Sequence, residues 1–344
     1  MGSRSDVEWA LRSDVQWGLN SLIGKDESAI TNQQSALLFP GQGSQYPGMG
    51  KDLAENFAVA RQVFEEADEA LGFSISRLCF EGPAETLQLT ENTQPAIVTV
   101  SVAALRALES VGIEKPSYVT GHSLGEYSAL VAAGSISLAD AVRTVRKRGQ
   151  YMQEAVPAGE GAMAAVLGAS LETIEQVCSE VRGEQVCAPA NINSANQIVI
   201  AGNTEAVDRA VEKLKEAGAK RVVKLNVSAP FHCALMMPAQ ERLASDLAGL
   251  HLDELRIPLI SNVDAISLTK ASDARDSLIR QVSSPVRWLQ SMNLLLEAGV
   301  MRFVEVGPGK VLTGLLRQIN REATGINVEE SAGVTAASAG LQVS

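Results

Sequence analysis

The chain has 344 residues, 29 of them Lys or Arg and 40 Asp or Glu, for a formal charge of −11, and 46% are hydrophobic. That length and apolar content exclude a wholly disordered chain and accommodate one large domain or two. The acidic balance argues against nucleic acid as a general partner, because neutralising phosphates requires a net basic surface.

Residues 1–34 contain SDVEWALR followed by SDVQWGLN, with Val7, Leu11, Val15, Leu19 and Leu22 recurring every three or four residues, a spacing that predicts one amphipathic helix. The N-terminus carries no signal-peptide apolar core, and no stretch reaches the roughly 20 apolar residues of a membrane span. The expected location is therefore cytoplasmic, with Cys79, Cys178, Cys187 and Cys233 as reduced thiols in no zinc-binding spacing. Residues 36–39 read as an apolar strand ending at Pro40, residues 95–110 as an apolar helix, and residues 117–120 as a short strand. Ser137 with Asp140 marks the N-terminus of a later helix.

From residue 161 the order changes to strand (161–168), helix (171–181), strands (187–192 and 197–201), helix (204–217) and strand (221–225). This βαββαβ order is the ferredoxin-like split motif. The expected organisation is an α/β protein with a largely parallel sheet, divided into an extension (1–34), a large subdomain (35–157 and 228–322), a small inserted subdomain (158–227) and a mobile tail (323–344). The tail is expected because its Ala, Gly, Ser, Thr and Val show no periodicity.

The strongest chemical signal is Gly121-His122-Ser123-Leu124-Gly125, a G-x-S-x-G sequence between a predicted strand and a predicted helix. That is the context of a nucleophile elbow, where the serine sits on a strained turn and the helix N-terminus faces an oxyanion. A serine needs a base, and the chain has three histidines. His122 lies inside the elbow and is expected to point away from the reaction side, and His251 lies in an amphipathic surface stretch. His232, after Ser228-Ala229-Pro230-Phe231, is the chosen partner.

Gly41-Gln42-Gly43 leaves the first strand without a phosphate-binding pattern, and its amide donors suit an oxyanion. Gly307-Pro308-Gly309-Lys310 reads as a turn before a helix. At ~1.5 Å per residue, the helix after the elbow and the next one, running back, bring Arg148 level with Ser123. Arg148 falls at the edge of that helix's apolar stripe, so its guanidinium needs an anion: an internal Asp or Glu, or the carboxylate of a substrate.

Together GQGSQ, GHSLGEYSAL, RGQYMQEAVPAGEGAMAAVLG, SAPFHCALM and EVGPGKVLTGLL, spread over residues 36–320, resemble the malonyl-CoA:acyl carrier protein transacylases, the acyltransferases of fatty acid and polyketide synthesis. The resemblance implies a hydrolase-like core with a ferredoxin-like insert. It implies Ser123 as the acylated nucleophile, His232 as general base, Gln42 and the Leu124 N–H as oxyanion donors, and Arg148 as the holder of a malonyl carboxylate. It further implies that the main-chain carbonyl of Gln281 orients the histidine, and that Gln94 and Asn193 line the pocket. Phe231 resembles the bulky residue of malonyl-selective members. Ser284-Pro285 departs from the Asn-Pro common in the family, and the extension has no counterpart.

The implied reaction is ping-pong transfer from malonyl-CoA to the thiol of acyl carrier protein, with no bound cofactor or metal and neither nucleic acid nor membrane as partner. The alternatives are a serine thioesterase or esterase using water, and a binding module that has kept the fold without turnover. Against a hydrolase, there is no HGGG-type loop, and a long segment follows His232. A carrier protein is usually acidic, so docking would need local basic surface; Arg143, Lys147, Lys213, Lys215, Lys220, Arg221, Arg317 and Arg321 are candidates.

Overall fold

The structure is a computed structural model that describes residues 34–227 and 229–341. The helix expected within residues 1–34 lies outside the described residues. Ser35–Phe39 forms β1, buried at every position, as expected of a parallel strand covered on both faces. Four short helices follow, α1 (Lys51–Asn56), α2 (Ala58–Leu71), α3 (Ile75–Glu81) and α4 (Ala84–Leu87). The apolar helix α5 (Thr90–Ser110) begins ahead of Pro95, the expected start. Its first turn is tied down from upstream: Thr93 Oγ1 donates to the Leu87 carbonyl (2.5 Å) and Asn92 Nδ2 to that of Thr86 (2.9 Å).

Next come β2 (Tyr118–Gly121), α6 (Gly125–Ala132) and α7 (Leu138–Glu154), the last capped by Ser137 Oγ, which accepts from the Asp140 N–H (3.1 Å). The βαββαβ segment follows as β3 (Gly161–Leu167), α8 (Leu171–Arg182), β4 (Cys187–Ser194), β5 (Gln197–Asn203), α9 (Thr204–Glu216) and β6 (Arg221–Lys224). The chain then adds α10 (Met237–Ala248), β7 (Leu259–Ile260), β8 (Ser267–Leu268), α11 (Ala271–Gln281), α12 (Trp288–Glu297), β9 (Arg302–Val306), α13 (Val311–Ile319), β10 (Thr324–Val328) and α14 (Ser331–Leu341).

Six strands form one sheet in the order β10-β9-β1-β2-β7-β8, parallel except for the edge pair β7 and β8. The other four form an antiparallel sheet, β4-β5-β3-β6, in the order of the ferredoxin-like motif. That sheet and its two helices enclose an apolar cluster including Ile174, Val177, Ile198, Ile200, Val207 and Leu214. It joins the larger body through β4: the Ile192 N–H donates to the Val286 carbonyl, and the Val286 N–H to that of Ala190, both at 2.9 Å.

The mobile tail expected over residues 323–344 is corrected for residues 324–341, and the last three lie outside the described residues. Residues 324–328 form the edge strand β10, paired in parallel with β9, and residues 331–341 form α14. Val334 and Ala337 are buried, and a Cβ on Gly333 would stand 2.5 Å from the Asn327 carbonyl oxygen. The small residues that resembled a tail let a helix lie flush against the strand before it. The 307–310 turn does precede a helix, and the buried carboxylate of Glu305 accepts from the N–H groups of Leu312 (2.9 Å) and Thr313 (2.7 Å) in the first turn of α13.

Candidate active site

β1 and β2 run side by side with Phe39 level with Gly121, and the His122 N–H donates to the Phe39 carbonyl (2.9 Å). The loops that leave the two strands therefore start together. Ser123 turns at φ 53°, a left-handed conformation that costs a side chain about 1–3 kcal/mol. Its flanking glycines provide room. A Cβ on Gly121 would stand 2.0 Å from the Gly125 carbonyl carbon, and one on Gly125 would stand 2.2 Å from the Phe39 oxygen. Asn262, just after β7, clamps the turn: the Ser123 N–H donates to its Oδ1 and its Nδ2 donates to the Gly121 carbonyl, both at 2.7 Å. No pattern in the sequence points to Asn262, because β7 is only two residues long and has no periodicity to read.

His232 is also left-handed, at φ 60°. Its Nδ1–H donates to the main-chain carbonyl of Gln281 (2.9 Å), which leaves Nε2 to accept from Ser123 Oγ–H (2.7 Å). Burial, and after it the cation of Arg148, push its pKa down to about 3, so the ring is neutral at physiological pH. His251 is exposed against Asp253, as expected. His122, expected to face away from the reaction side, lines the same cavity as Ser123. Its Nε2 is taken up by Asn193 Oδ1 (2.9 Å), its ring lies 5.5 Å from that of Trp288, and burial lowers its pKa.

α6 runs away from the elbow and α7 runs back, which returns Arg148 to Ser123. Its guanidinium is buried, with only 1% of the residue exposed. Nη2 donates to Ser123 Oγ (3.1 Å) and Gln281 Oε1 (2.9 Å), and Nη1 donates to Gln94 Oε1 (2.9 Å). Among the described residues no carboxylate lies within ion-pair distance of it; the internal acid that the sequence left open as its partner acts only from farther off, through the buried charge of Glu126.

Ser123, His232, Arg148, Gln42, Gln94 and Phe231 line one cavity of about 710 Å³. The side chain of Gln42 turns to Thr90, its Nε2 donating to Oγ1 (3.3 Å). The main-chain N–H groups of Gln42 and Leu124 have no acceptor among the described residues. Asn193 does not line the cavity itself; Asn191 does, and Asn193 acts on it through His122. No cluster of residues suited to a metal ion occurs among the described residues, and no described helix is long and apolar enough to cross a membrane.

Proteins of known fold and name resemble the chain along most of its length. The model of the acyl transferase domain matches residues 36–341. The chain is 51% identical to the malonyl CoA-acyl carrier protein transacylase of Bacillus subtilis over 86% of its own length and 93% of the other. It is 47% identical to the enzyme of that name from Escherichia coli, over 88% and 98%. A solved malonyl CoA-acyl carrier protein transacylase from Coxiella burnetii superposes with a TM-score of 0.88 at 43% identity, covering 90% of this chain and 98% of that one. A type II polyketide acyl-carrier protein in complex with its malonyl-transacylase matches equally well, at 0.88 and 45% identity over 89% and 99%. The elbow, the buried His232 and the small antiparallel sheet thus sit within a match that spans nearly all the described residues, and the chain belongs to the acyl transferase family.

Proposed function

We propose that the protein transfers a malonyl group from malonyl-CoA to the phosphopantetheine thiol of acyl carrier protein, supplying extender units for fatty acid or polyketide synthesis. The observation that carries this reading is the buried guanidinium of Arg148, 3.1 Å from the hydroxyl of Ser123 and paired with no carboxylate. It is a cation prepared for an acyl chain that carries an anion of its own.

Ser123 Oγ attacks the thioester carbonyl while His232 Nε2 takes its proton. The oxyanion that forms accepts from the main-chain N–H groups of Leu124 and Gln42. Coenzyme A leaves as the thiol, with the proton from His232. The carrier thiol then attacks the serine ester, His232 accepts the thiol's proton, and Ser123 recovers it as the malonyl group departs. Gln281 holds the histidine by its carbonyl; Gln94 and Gln281 hold Arg148 by their side chains. Phe231 narrows the space beside the acyl group and disfavours a 2-methyl substituent.

The division into large (35–157 and 228 onward) and small (158–227) subdomains belongs to this reading, with the cavity between them. So does a cytoplasmic enzyme that needs no bound cofactor. For the carrier, Lys220 and Arg221 near β6 and Arg317 and Arg321 near α13 are exposed and form no ion pair among the described residues, whereas Lys147, Lys213 and Lys215 are matched by Asp246, Glu180 and Glu212. Intact-mass spectrometry after mixing with malonyl-CoA tests the proposal. A malonyl adduct that is absent in Ser123→Ala and is discharged by carrier protein is expected; free malonate without an adduct would mean a hydrolase.

A further inference from the structure

The charge balance at Arg148 is unusual. A cation buried this deeply ordinarily lies against an anion, yet Gln94, Gln281 and Ser123, which accept from it, are all neutral. A counter-charge stands one residue beyond. Glu126 on α6 is wholly buried, and its Oε2 accepts from Gln281 Nε2 (2.5 Å) while Oε1 accepts from Ser277 Oγ (3.4 Å). The Gln281 amide thus lies head to tail between a buried cation and a buried anion, oxygen on the guanidinium and nitrogen on the carboxylate. The flipped amide would set donor against donor and acceptor against acceptor.

We propose that Glu126 is the counter-ion of the acyl pocket, ionised against Arg148 while the pocket is empty and protonated once an acyl carboxylate occupies Arg148. Loading a dicarboxylic acyl group then takes up one proton at Glu126, and loading a neutral one takes up none. The proposal rests on the reading of Arg148 as the carboxylate site.

The surroundings isolate this titration. Glu126 is faced by Gln281 and Ser277 from α11, Asn262 from the segment after β7, Arg148 from α7 and Tyr127 along its own helix. Of these only Arg148 and Tyr127 can carry charge, and burial raises the Tyr127 phenol beyond its ordinary range. His232, across Ser123, stays neutral because its pKa is depressed. Burial pushes the Glu126 carboxyl up to about 7, opposed by hydrogen bonds from Gln281, Asn262 and Ser277 and then by Arg148. A group balanced there changes protonation when a second anion arrives. The network also reaches the nucleophile, since Gln281 Nε2 donates to the Ser123 carbonyl (2.9 Å). Glu126 touches no reacting atom, so its role is positioning and charge compensation.

The test is calorimetric titration of malonyl-CoA into Ser123→Ala protein at about pH 7.5 in phosphate and in Tris, whose different ionisation heats count protons, with acetyl-CoA as reference. The expected result is an excess uptake of about half to one proton for malonyl over acetyl, abolished by adding Glu126→Gln. In the Ser123 enzyme, malonyl over acetyl preference in kcat/KM should fall by up to about tenfold per pH unit above pH 7, and be flat in Glu126→Gln. No excess uptake in the parent, or the same uptake without Glu126, overturns the proposal. The parent's proton count decides it even if Glu126→Gln does not fold. An Arg148→Ala enzyme that kept its malonyl preference would overturn the carboxylate reading itself. Loss of preference there, with no proton uptake in the parent, overturns the Glu126 proposal alone.

Discussion

Arg148→Ala separates a malonyl transferase from a general acyl enzyme. The guanidinium donates to Gln94, Gln281 and Ser123 in a site with almost no exposure, so a malonyl carboxylate that reaches it leaves water behind. Without Arg148 that carboxylate is buried and unpaired, a loss of about 2–5 kcal/mol for one member of a buried charge pair. At ~1.36 kcal/mol per tenfold, malonyl loading should fall between about 30-fold and about 5,000-fold. Acetyl loading should hold or improve, because a neutral acyl group loses no ionic partner when the guanidinium is removed. Arg148→Lys should rescue only partly, since an ammonium cannot reproduce the two-pronged geometry. The assay is acyl-enzyme formation from malonyl-CoA and acetyl-CoA for the three proteins, with circular dichroism to establish folding. A parallel loss of both acyl groups in folded Arg148→Ala would make the residue structural and remove the physical basis of malonyl selectivity.

Because burial and Arg148 hold His232 neutral down to about pH 3, kcat/KM for malonyl-CoA should show no acid limb near the ordinary histidine pKa of about 6.5; a limb there would mean that the imidazole is hydrated. The same depressed pKa contributes stability that is complete above about pH 6.5 and is lost as pH falls toward 3, where the unfolded chain binds a proton that the folded one refuses; His232→Gln should therefore flatten the acid side of the denaturation profile. Gln42→Ala should slow acylation by less than about tenfold if the main-chain N–H is the donor, because the side chain is turned to Thr90; a loss of about 10²–10³ would assign the oxyanion role to the side chain. Asn262→Ala removes both bonds that clamp the elbow and should cost about 1–3 kcal/mol by chemical denaturation, with slower acylation; unchanged values would mean that the turn holds without it.

What could be read from the sequence follows from how local each signal is. The elbow, the Ser137 cap and the βαββαβ order are written in consecutive residues, and the structure has all three. The position of Arg148 also came through, because helix rise is regular enough to count along two antiparallel helices. β7 and α14 did not: one is a two-residue strand held by its neighbours, the other a run of small residues whose meaning appears only against Asn327 and Val328. The left-handed conformation of His232 left no trace either, since neither Phe231 nor Cys233 is a glycine. Glu126 lies inside the most conspicuous motif without a signal of its own, because its surroundings depend on Gln281, far away in the chain, and on burial that no local pattern encodes.

The two residues to which the proposed function gives the chemistry, Ser123 and His232, are both strained, and each is held by a group distant in sequence. Asn262 holds Ser123 at φ 53°, and the Gln281 carbonyl fixes the ring of His232, whose φ is 60°. At about 1–3 kcal/mol each, such conformations persist only where the surroundings over-determine them, and the consequence is that Ser123 Oγ and His232 Nε2 already stand at 2.7 Å without a substrate. Arg148 then acts in two directions. Its field is the second cause, after burial, of the depressed pKa of His232, so in the empty pocket the imidazole is neutral but a weak base. In the proposed cycle a carboxylate seated on the guanidinium replaces ionised Glu126 as its counter-charge, so the field at His232 changes little and burial continues to hold the pKa below the ordinary value. His232 therefore stays neutral in the empty and the loaded pocket alike. In the proposed function the buried charge that selects an anionic acyl chain is also one that lowers the pKa of His232, an effect across the pocket that no local pattern in the sequence discloses.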